Sequence, residues 1–484
     1  MAIAWGAGGN RSYADESVNP GESEEQGQSN NDYLIGVNYF SGWWKDPNIL
    51  FHIPETGVPR LEGPDWRELY PEREPKYGWF DDEQQIMDQQ IVDASASGID
   101  FFVFGWFTDR PGRGEGVGVG IDNGYQFFMN SPENDRMKFT ISYNNHNPFT
   151  ISYLRTADMT QEQWEQLRAE EWDKMTDQWI ELFKHPRYLK IDGKPVMHLF
   201  SVQTFQQDFS TGTRDDLNPH ELAQIPEERQ ILLDAMESFR NKVKDAGFPD
   251  VLFGGGLDQP GFDGEYVQAH DDGVYDFFTA YNRIPTFRVA EHHNPIYNLV
   301  RDHHDYVWDY YNRYKRPDTD YVPVISWGWD KVLKPSLPIW DIEKTPDNLG
   351  NFLREAREYL DEHPQTNMAD NPVKMAIIAS WNEMGEGHYL VPTLADGDVY
   401  TRQVGQVFGF DDLEGQIKVR YADWKSALTD WADFWQTNFP DARLTSTIQA
   451  LISALPAEWD SSQDVQNLIQ QIMEVKVAVD GSVQ

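Results

Sequence analysis

The sequence predicts an α/β fold, a (β/α)8 TIM barrel with long loops and a helical C-terminal extension. Two observations carry this. From Tyr33 onward, short apolar runs alternate with longer amphipathic stretches, and such alternation builds a parallel sheet. Eight such runs lie within residues 33–404, enough strands to close a barrel. A doubly wound open sheet is the competing reading. It calls for fewer strands and an early glycine-rich phosphate turn, whereas GRGEGVGVG (112–120) sits in a long loop and not between strand and helix.

The elements follow in order. YLIGVNYF (33–40) is the first strand. In the helix over 81–98, Ile86, Gln90 and Ala94 share a face with Met87 and Ile91; Asp81 and Asp82 are placed to cap its start and Gly98 its end. IDFFVFGWF (99–107) is a continuous apolar run suited to a strand buried on both faces. Strands follow at 137–146, 194–202, 250–258, 275–282, 321–330 and 374–383. Helices are expected at 160–185, with Trp164, Trp172 and Trp179 near helical spacing, and at 226–247, 294–315 and 346–363. From about residue 405 the chain reads as helices packed on the barrel's outside, notably YADWKSALTDWADFWQTNF and LTSTIQALISAL.

Composition narrows the function. Of 484 residues, 39% are hydrophobic and 14% aromatic, enough for a sizeable core with aromatic rings to spare. Lys+Arg is 40 against Asp+Glu 80, a net charge of −40. That balance excludes phosphate-backbone binding, so no nucleic-acid partner is expected, and it opposes docking on anionic membranes. The acids are spread along the chain and read as a solvated surface. No apolar run is long enough to span a bilayer, so no membrane insertion is expected. The chain has no cysteine, which excludes disulfides, thiolate metal sites and cysteine nucleophiles. Residues 1–32 are polar, acidic and Gly/Ser-rich, and read as a disordered tether of the kind that joins an export signal or lipid anchor to an enzyme. An extracellular or cell-surface location is expected on that ground. The domain reading is a tether at 1–32, a catalytic barrel at 33–404 and C-terminal helices at 405–484.

In a barrel of this kind the carboxyl ends of the strands face the active site. The residues there are Tyr39, Trp43 and Trp44 after the first strand, Trp106 and Asp109 after the second, and Tyr143, Asn144 and His146 after the third. Asp258 follows the fifth, Tyr281 the sixth, Trp327 and Trp329 the seventh, and Trp381-Asn382-Glu383 the last. Aromatic faces take the apolar face of a pyranose, and amides and carboxylates fix its hydroxyls. This set is therefore the candidate substrate-binding surface for a polysaccharide or oligosaccharide. Glu383 and Glu386 stand three residues apart at the end of an apolar strand. If the chain turns at Gly385 and Gly387 their carboxyls can lie about 5–6 Å apart, the spacing retaining glycosidases use. Two acids so close split their acidities, leaving one protonated and one ionised. They are the candidate catalytic pair.

The segment ASWNEMGEGHYLVPT resembles the N-E-x-x-E-G motif of glycoside hydrolase family 99 and of the WbsX-like proteins. The order GVNYF, GIDFFVFGWF, GKPVMHLF, YDFFTAYN, YVPVISWGWD and WNEMGEG is similar to the family's strand order over roughly residues 33–400. Met384 and Gly385 stand where the family carries an aromatic and a His or Ala. The resemblance implies a retaining α-mannosidase-type enzyme working through a 1,2-anhydro sugar. It implies that Glu383 is the base on the sugar 2-hydroxyl and Glu386 the general acid and then base. It also implies that Tyr281 lies near the anomeric centre and that Asn382 and Tyr39 contact substrate.

Other classes are weaker. His146, His198, His292, His293, His303, His304 and His388 could be read as a metal set, but adjacent histidines in a helix point to different sides. No metal or cofactor is therefore expected. A glycosyltransferase, the label often given to WbsX-like proteins, is the alternative; it would need a nucleotide-sugar site. A carbohydrate-binding barrel without catalysis is opposed by the intact Glu383/Glu386 pair.

Overall fold

The computed structural model describes residues 33–43, 66–108, 123–146, 149–211, 219–257, 273–280, 308–327, 345–408 and 443–456, with single positions within 267–270, 425–429 and 468–472. Within them the eight strands stand in sequence order. They are β1 (Tyr33–Tyr39), β2 (Phe101–Trp106), β3 (Lys138–Tyr143), β4 (Lys194–Leu199), β5 (Leu252–Gly256) and β6 (Phe277–Thr279), then β7 in two halves (Asp320–Tyr321 and Val324–Ser326) and β8 (Lys374–Ala379). All neighbours pair in parallel, β1 with β2 through to β6 with β7.

The sheet closes into a ring. The first half of β7 pairs with β6, the second half with β8, and β8 with β1. The sequence suggested one unbroken strand over 321–330. The break falls at Pro323, which has no N–H for the ladder. The chain bridges it by donating Val322 N to Phe278 O (2.9 Å) on one side while Pro323 O accepts from Ile377 N (3.0 Å) on the other.

Five longer helices lie where the apolar periodicity put them, and one more, Val399–Phe408, stands where no helix is expected. They are α1 (Gln84–Ala96), α2 (Gln161–Phe183), α3 (Pro226–Asp245), α4 (Pro346–Glu362), α5 (Val399–Phe408) and α6 (Arg443–Ala454). Thr160 opens α2 with a capping box, accepting from Gln163 N at 3.2 Å while Gln163 Oε1 accepts from Thr160 N at 2.8 Å. Gly98 and Gly247 take positive φ (82° and 95°) just past α1 and α3, a conformation that costs glycine nothing. The expected acidic caps of α1 are a correction. Its N-cap is Glu83, with no side-chain cap bond, and Asp81 is buried elsewhere. Of the helix expected over 294–315, only Asp309–Tyr314 falls among the described residues. The stretch from Tyr421 to Phe439 lies outside them save for isolated positions.

Two cores result from the closed sheet. Alternate residues of each strand point inward and outward. The inner core holds Phe101 and Val103 of β2, Val196, Leu252, Phe277 and Val324. The larger outer core holds the other parity, including Ile35, Val37, Phe102, Phe104, Ile141 and Ile378, packed beneath the helices. Trp172 and Trp179 of α2 anchor it, 5.4 Å apart and edge-on. The glycines of the interior make room for rings: a Cβ at Gly36 would overlap the ring of Phe101, and one at Gly254 the ring of Phe277.

Candidate active site

The parity of the strands decides which predicted residues reach the mouth. Tyr39, Trp106, Tyr143 and Trp327 all fall on the outward parity and belong to the outer core. Their exposures are 3%, 4%, 0% and 0%. Tyr143 donates its hydroxyl to Phe149 O (2.9 Å), and Trp106 packs edge-on against Tyr143 and Trp179. Trp43 is equally buried, its Nε1 donating to Asn382 O (2.7 Å). The structure places these five side chains, expected at the substrate surface, in the packing. Each lies beside an inward residue in sequence, and a shift of one position exchanges the two faces of a strand. Trp44, Asp109, Asp258, Tyr281 and Trp329 lie outside the described residues, as do the histidines at 292, 293, 303 and 304.

The inward parity at the top of the barrel is polar or small. It runs Asn38, Gly105, Ser142, His198, Gly256, Thr279 and Ser326. Apart from His198, weighed as a metal ligand, none of these is singled out by the sequence, because short polar side chains between aromatics give no signal of their own. Asn144 does reach this face: a Cβ on Gly105 would meet its Nδ2 at 2.7 Å. His146 lies beside Phe107 and Phe200, with ring centroids 6.0 and 5.7 Å away. His198 is 4% exposed and rests edge-on against Phe277. Burial lowers its pKa to about 3, so it is a neutral imidazole on the barrel axis.

The end of β8 carries the acids. Asn382–Glu383 pairs antiparallel with His388–Tyr389, and the 3-10 turn Met384–Glu386 joins them. Glu383 is the residue that enters this turn and Glu386 its last residue, so the two acids stand at its two ends. Gly387, at φ 80°, brings the chain back. Ser380 Oγ ties the hairpin, accepting from Glu383 N (3.1 Å) and donating to His388 O (2.8 Å). Glu386 keeps 16% of its side-chain surface open, and its Oε2 lies 3.0 Å from Nε2 of the fully buried His388. The buried guanidinium of Arg73 donates to Met384 O (2.9 Å), between the two acids. Sequence reading named neither Arg73 nor this role for His388. Arg73 comes from a segment more than three hundred residues away, and only the fold brings it here.

Behind the pair lies a buried polar knot. Asp81 Oδ2 accepts from Tyr39 Oη (3.0 Å) and from Asn382 Nδ2 (3.2 Å). Desolvation raises the Asp81 pKa to about 8, outweighing these two bonds. Asp81 is thus a neutral acid at pH 7 that braces the seam between β1 and β8. Asn382, expected at the substrate surface, is 3% exposed and is part of this brace.

No curated protein matches the chain. Among solved structures it is similar to one described as a glycoside hydrolase-like protein, at 16% identity over 79% of this chain and 95% of that one, with a TM-score of 0.49. It is also similar to the GH99 endo-alpha-mannosidase from Bacteroides thetaiotaomicron, at 12% identity over 80% and 98%, with a TM-score of 0.45. A third is a GH5_18 protein from Streptomyces cattleya, at 13% identity over 77% and 79%, with a TM-score of 0.43. The family model described as glycosyltransferase WbsX matches residues 64–404, and the chain belongs to that family.

Proposed function

We propose that this chain is a retaining glycoside hydrolase acting on α-linked, mannose-like bonds of a polysaccharide or glycan. The observation that carries the reading is the placement of Glu383 and Glu386 on one short turn at the carboxyl end of β8. In a barrel this end faces the reaction.

The residues divide the work as follows. Glu383 takes the proton of the sugar 2-hydroxyl, and that oxygen attacks the anomeric carbon. The glycosidic bond breaks as Glu386 gives its proton to the departing oxygen. A 1,2-anhydro sugar remains. Water then opens it, losing a proton to Glu386, while the 2-oxygen regains its proton from Glu383. Each glutamate ends as it began. Asn144, His146, Phe107 and Phe200, which follow β2, β3 and β4, furnish polar and aromatic surface at the same end of the barrel.

The family's description favours a second reading, a glycosyltransferase. One experiment separates the two. The purified protein is offered α-mannans and a panel of bacterial and algal polysaccharides, with and without nucleotide sugars, and products are read by mass spectrometry beside Glu386→Gln. Oligosaccharide release that vanishes in the variant supports the hydrolase. Transfer seen only with a nucleotide sugar overturns it.

A further inference from the structure

We propose that His388 is the positioning residue that holds one oxygen of Glu386 and reserves the other for the reaction; the inference rests on the hydrolase reading above. Glu386 and His388 are separated by one residue, and in an extended chain such side chains share a face but stand well apart along it. Here the left-handed Gly387 folds the chain between them, a conformation that glycine adopts without strain. His388 is thereby brought under the carboxyl, with Nε2 at 3.0 Å from Oε2. It also stands directly opposite Glu383 in the hairpin, and cross-strand partners share a face. The imidazole therefore touches Glu386 from a position opposite Glu383 in the hairpin.

The backbone of His388 is fixed. Its carbonyl accepts from Ser380 Oγ at 2.8 Å, and its side chain has no exposed surface. A buried ring on a pinned backbone has one orientation to offer. With a proton on Nε2, it donates to Oε2 whether Glu386 is a carboxylic acid or a carboxylate, because the carbonyl oxygen of the acid also accepts. The acid proton then resides on Oε1. It passes from Oε1 to the departing glycosidic oxygen, and the proton of the attacking water returns to Oε1. The imidazole keeps its own proton throughout, and the carboxyl need not rotate between the two steps.

The test compares kcat/KM on an unactivated glycoside and on an aryl glycoside with a good leaving group, in the intact protein. His388→Phe keeps the ring volume and removes the donor. It should lower kcat/KM on the unactivated substrate by about 10–100-fold with KM little changed, the cost of a misplaced acid. The activated substrate, which needs little proton assistance, should change by less than about threefold. Equal losses on both substrates, or no loss, overturn the role. Should the Phe variant not fold, His388→Gln and His388→Asn carry the test. The Gln amide nitrogen can occupy the position of Nε2 and should preserve the rate, whereas the shorter Asn should lose it. An Asn variant as fast as the wild type overturns the inference. If the wild type and its Glu386→Gln variant behave as the hydrolase reading requires while every His388 variant is normal, only this inference falls. A wild type inactive on every glycan removes the hydrolase reading itself.

Discussion

Asn382 and Phe40 exchange two hydrogen bonds across the seam where β8 meets β1. Phe40 N donates to Asn382 Oδ1 (2.8 Å) and Asn382 Nδ2 donates to Phe40 O (2.7 Å). The amide extends the ladder by one rung above the bond from Trp381 N to Asn38 O. Asn145 uses the same device on Ser201, between β3 and β4. Glu383 follows Asn382 directly, so the seam sets where the turn bearing Glu383 and Glu386 departs. Asn382→Ala leaves two backbone groups without partners, at about 1–3 kcal/mol each. The variant should lose about 2–4 kcal/mol in urea unfolding. A loss below about 0.5 kcal/mol, the level of an ordinary surface change, would refute the brace.

The two acids should differ in their response to leaving group. Glu386→Gln should lose most activity on unactivated glycans and be partly spared on aryl glycosides, by about 10–100-fold between the two. Glu383→Gln should lose both, since no leaving group replaces the 2-hydroxyl base. Steady-state rates on both substrates decide this, and a near-normal Glu383→Gln enzyme would sink the assignment.

Strand parity makes its own prediction. Trp106→Phe and Trp327→Phe should reduce stability by about 1–3 kcal/mol, as core truncations do, with KM unchanged. Asn144→Ala and His146→Ala should do the reverse, raising KM several-fold with a melting temperature within a few degrees of wild type. Melting and KM measured on the same four proteins test the division, and a KM effect from Trp106→Phe would reverse it.

Asp81 gives stability a dependence on pH of known sign. Its pKa in the folded chain is pushed up to about 8, against 3.8 for an ordinary aspartate. Between those values the folded chain holds a proton that the unfolded chain has released, so the folded state weakens as pH rises from about 4 to about 8. Asp81→Asn keeps the acceptor for Tyr39 and removes the titration. The variant should gain on the wild type across that window, by an amount on the order of a few kcal/mol in total. Melting curves at several pH values check this; a constant difference would show that Asp81 is ionised throughout.

Gly256 and Gly36 should respond unequally to alanine. A Cβ at Gly256 would overlap the backbone carbonyls of Leu199 and Phe200, whereas at Gly36 it would overlap only the Phe101 ring. Rings can shift and backbone cannot. Gly36→Ala should cost about 1–3 kcal/mol and Gly256→Ala more, as read from denaturant midpoints at constant m.

The order of strands and helices was legible in the sequence because each apolar run is bounded by glycine, proline or charge. The face of each strand was not. In a closed barrel covered by helices both faces are apolar, and FFVFGW of β2 is buried at all six positions. With no contrast between odd and even positions, chemistry alone singles out the aromatics, and Tyr39, Trp106, Tyr143 and Trp327 turn to the outer core. The acids escaped this ambiguity because they stand on a turn beyond the last strand. Asp81 misled for a different reason. An aspartate before a helix is ordinarily a cap, and nothing local says that a tyrosine and an asparagine from β1 and the end of β8 will bury it.

Closure of the ring between β1 and β8 also fixes a schedule. The residues it joins, such as Phe40 and Asn382, are 342 positions apart. At ribosomal speeds of roughly 5–20 residues per second, β1 waits on the order of tens of seconds with one edge bare before its partner emerges. Until then that edge presents unpaired backbone groups. During synthesis, then, the same seam that later braces the turn bearing Glu383 and Glu386 is the place where a holding chaperone has most to cover.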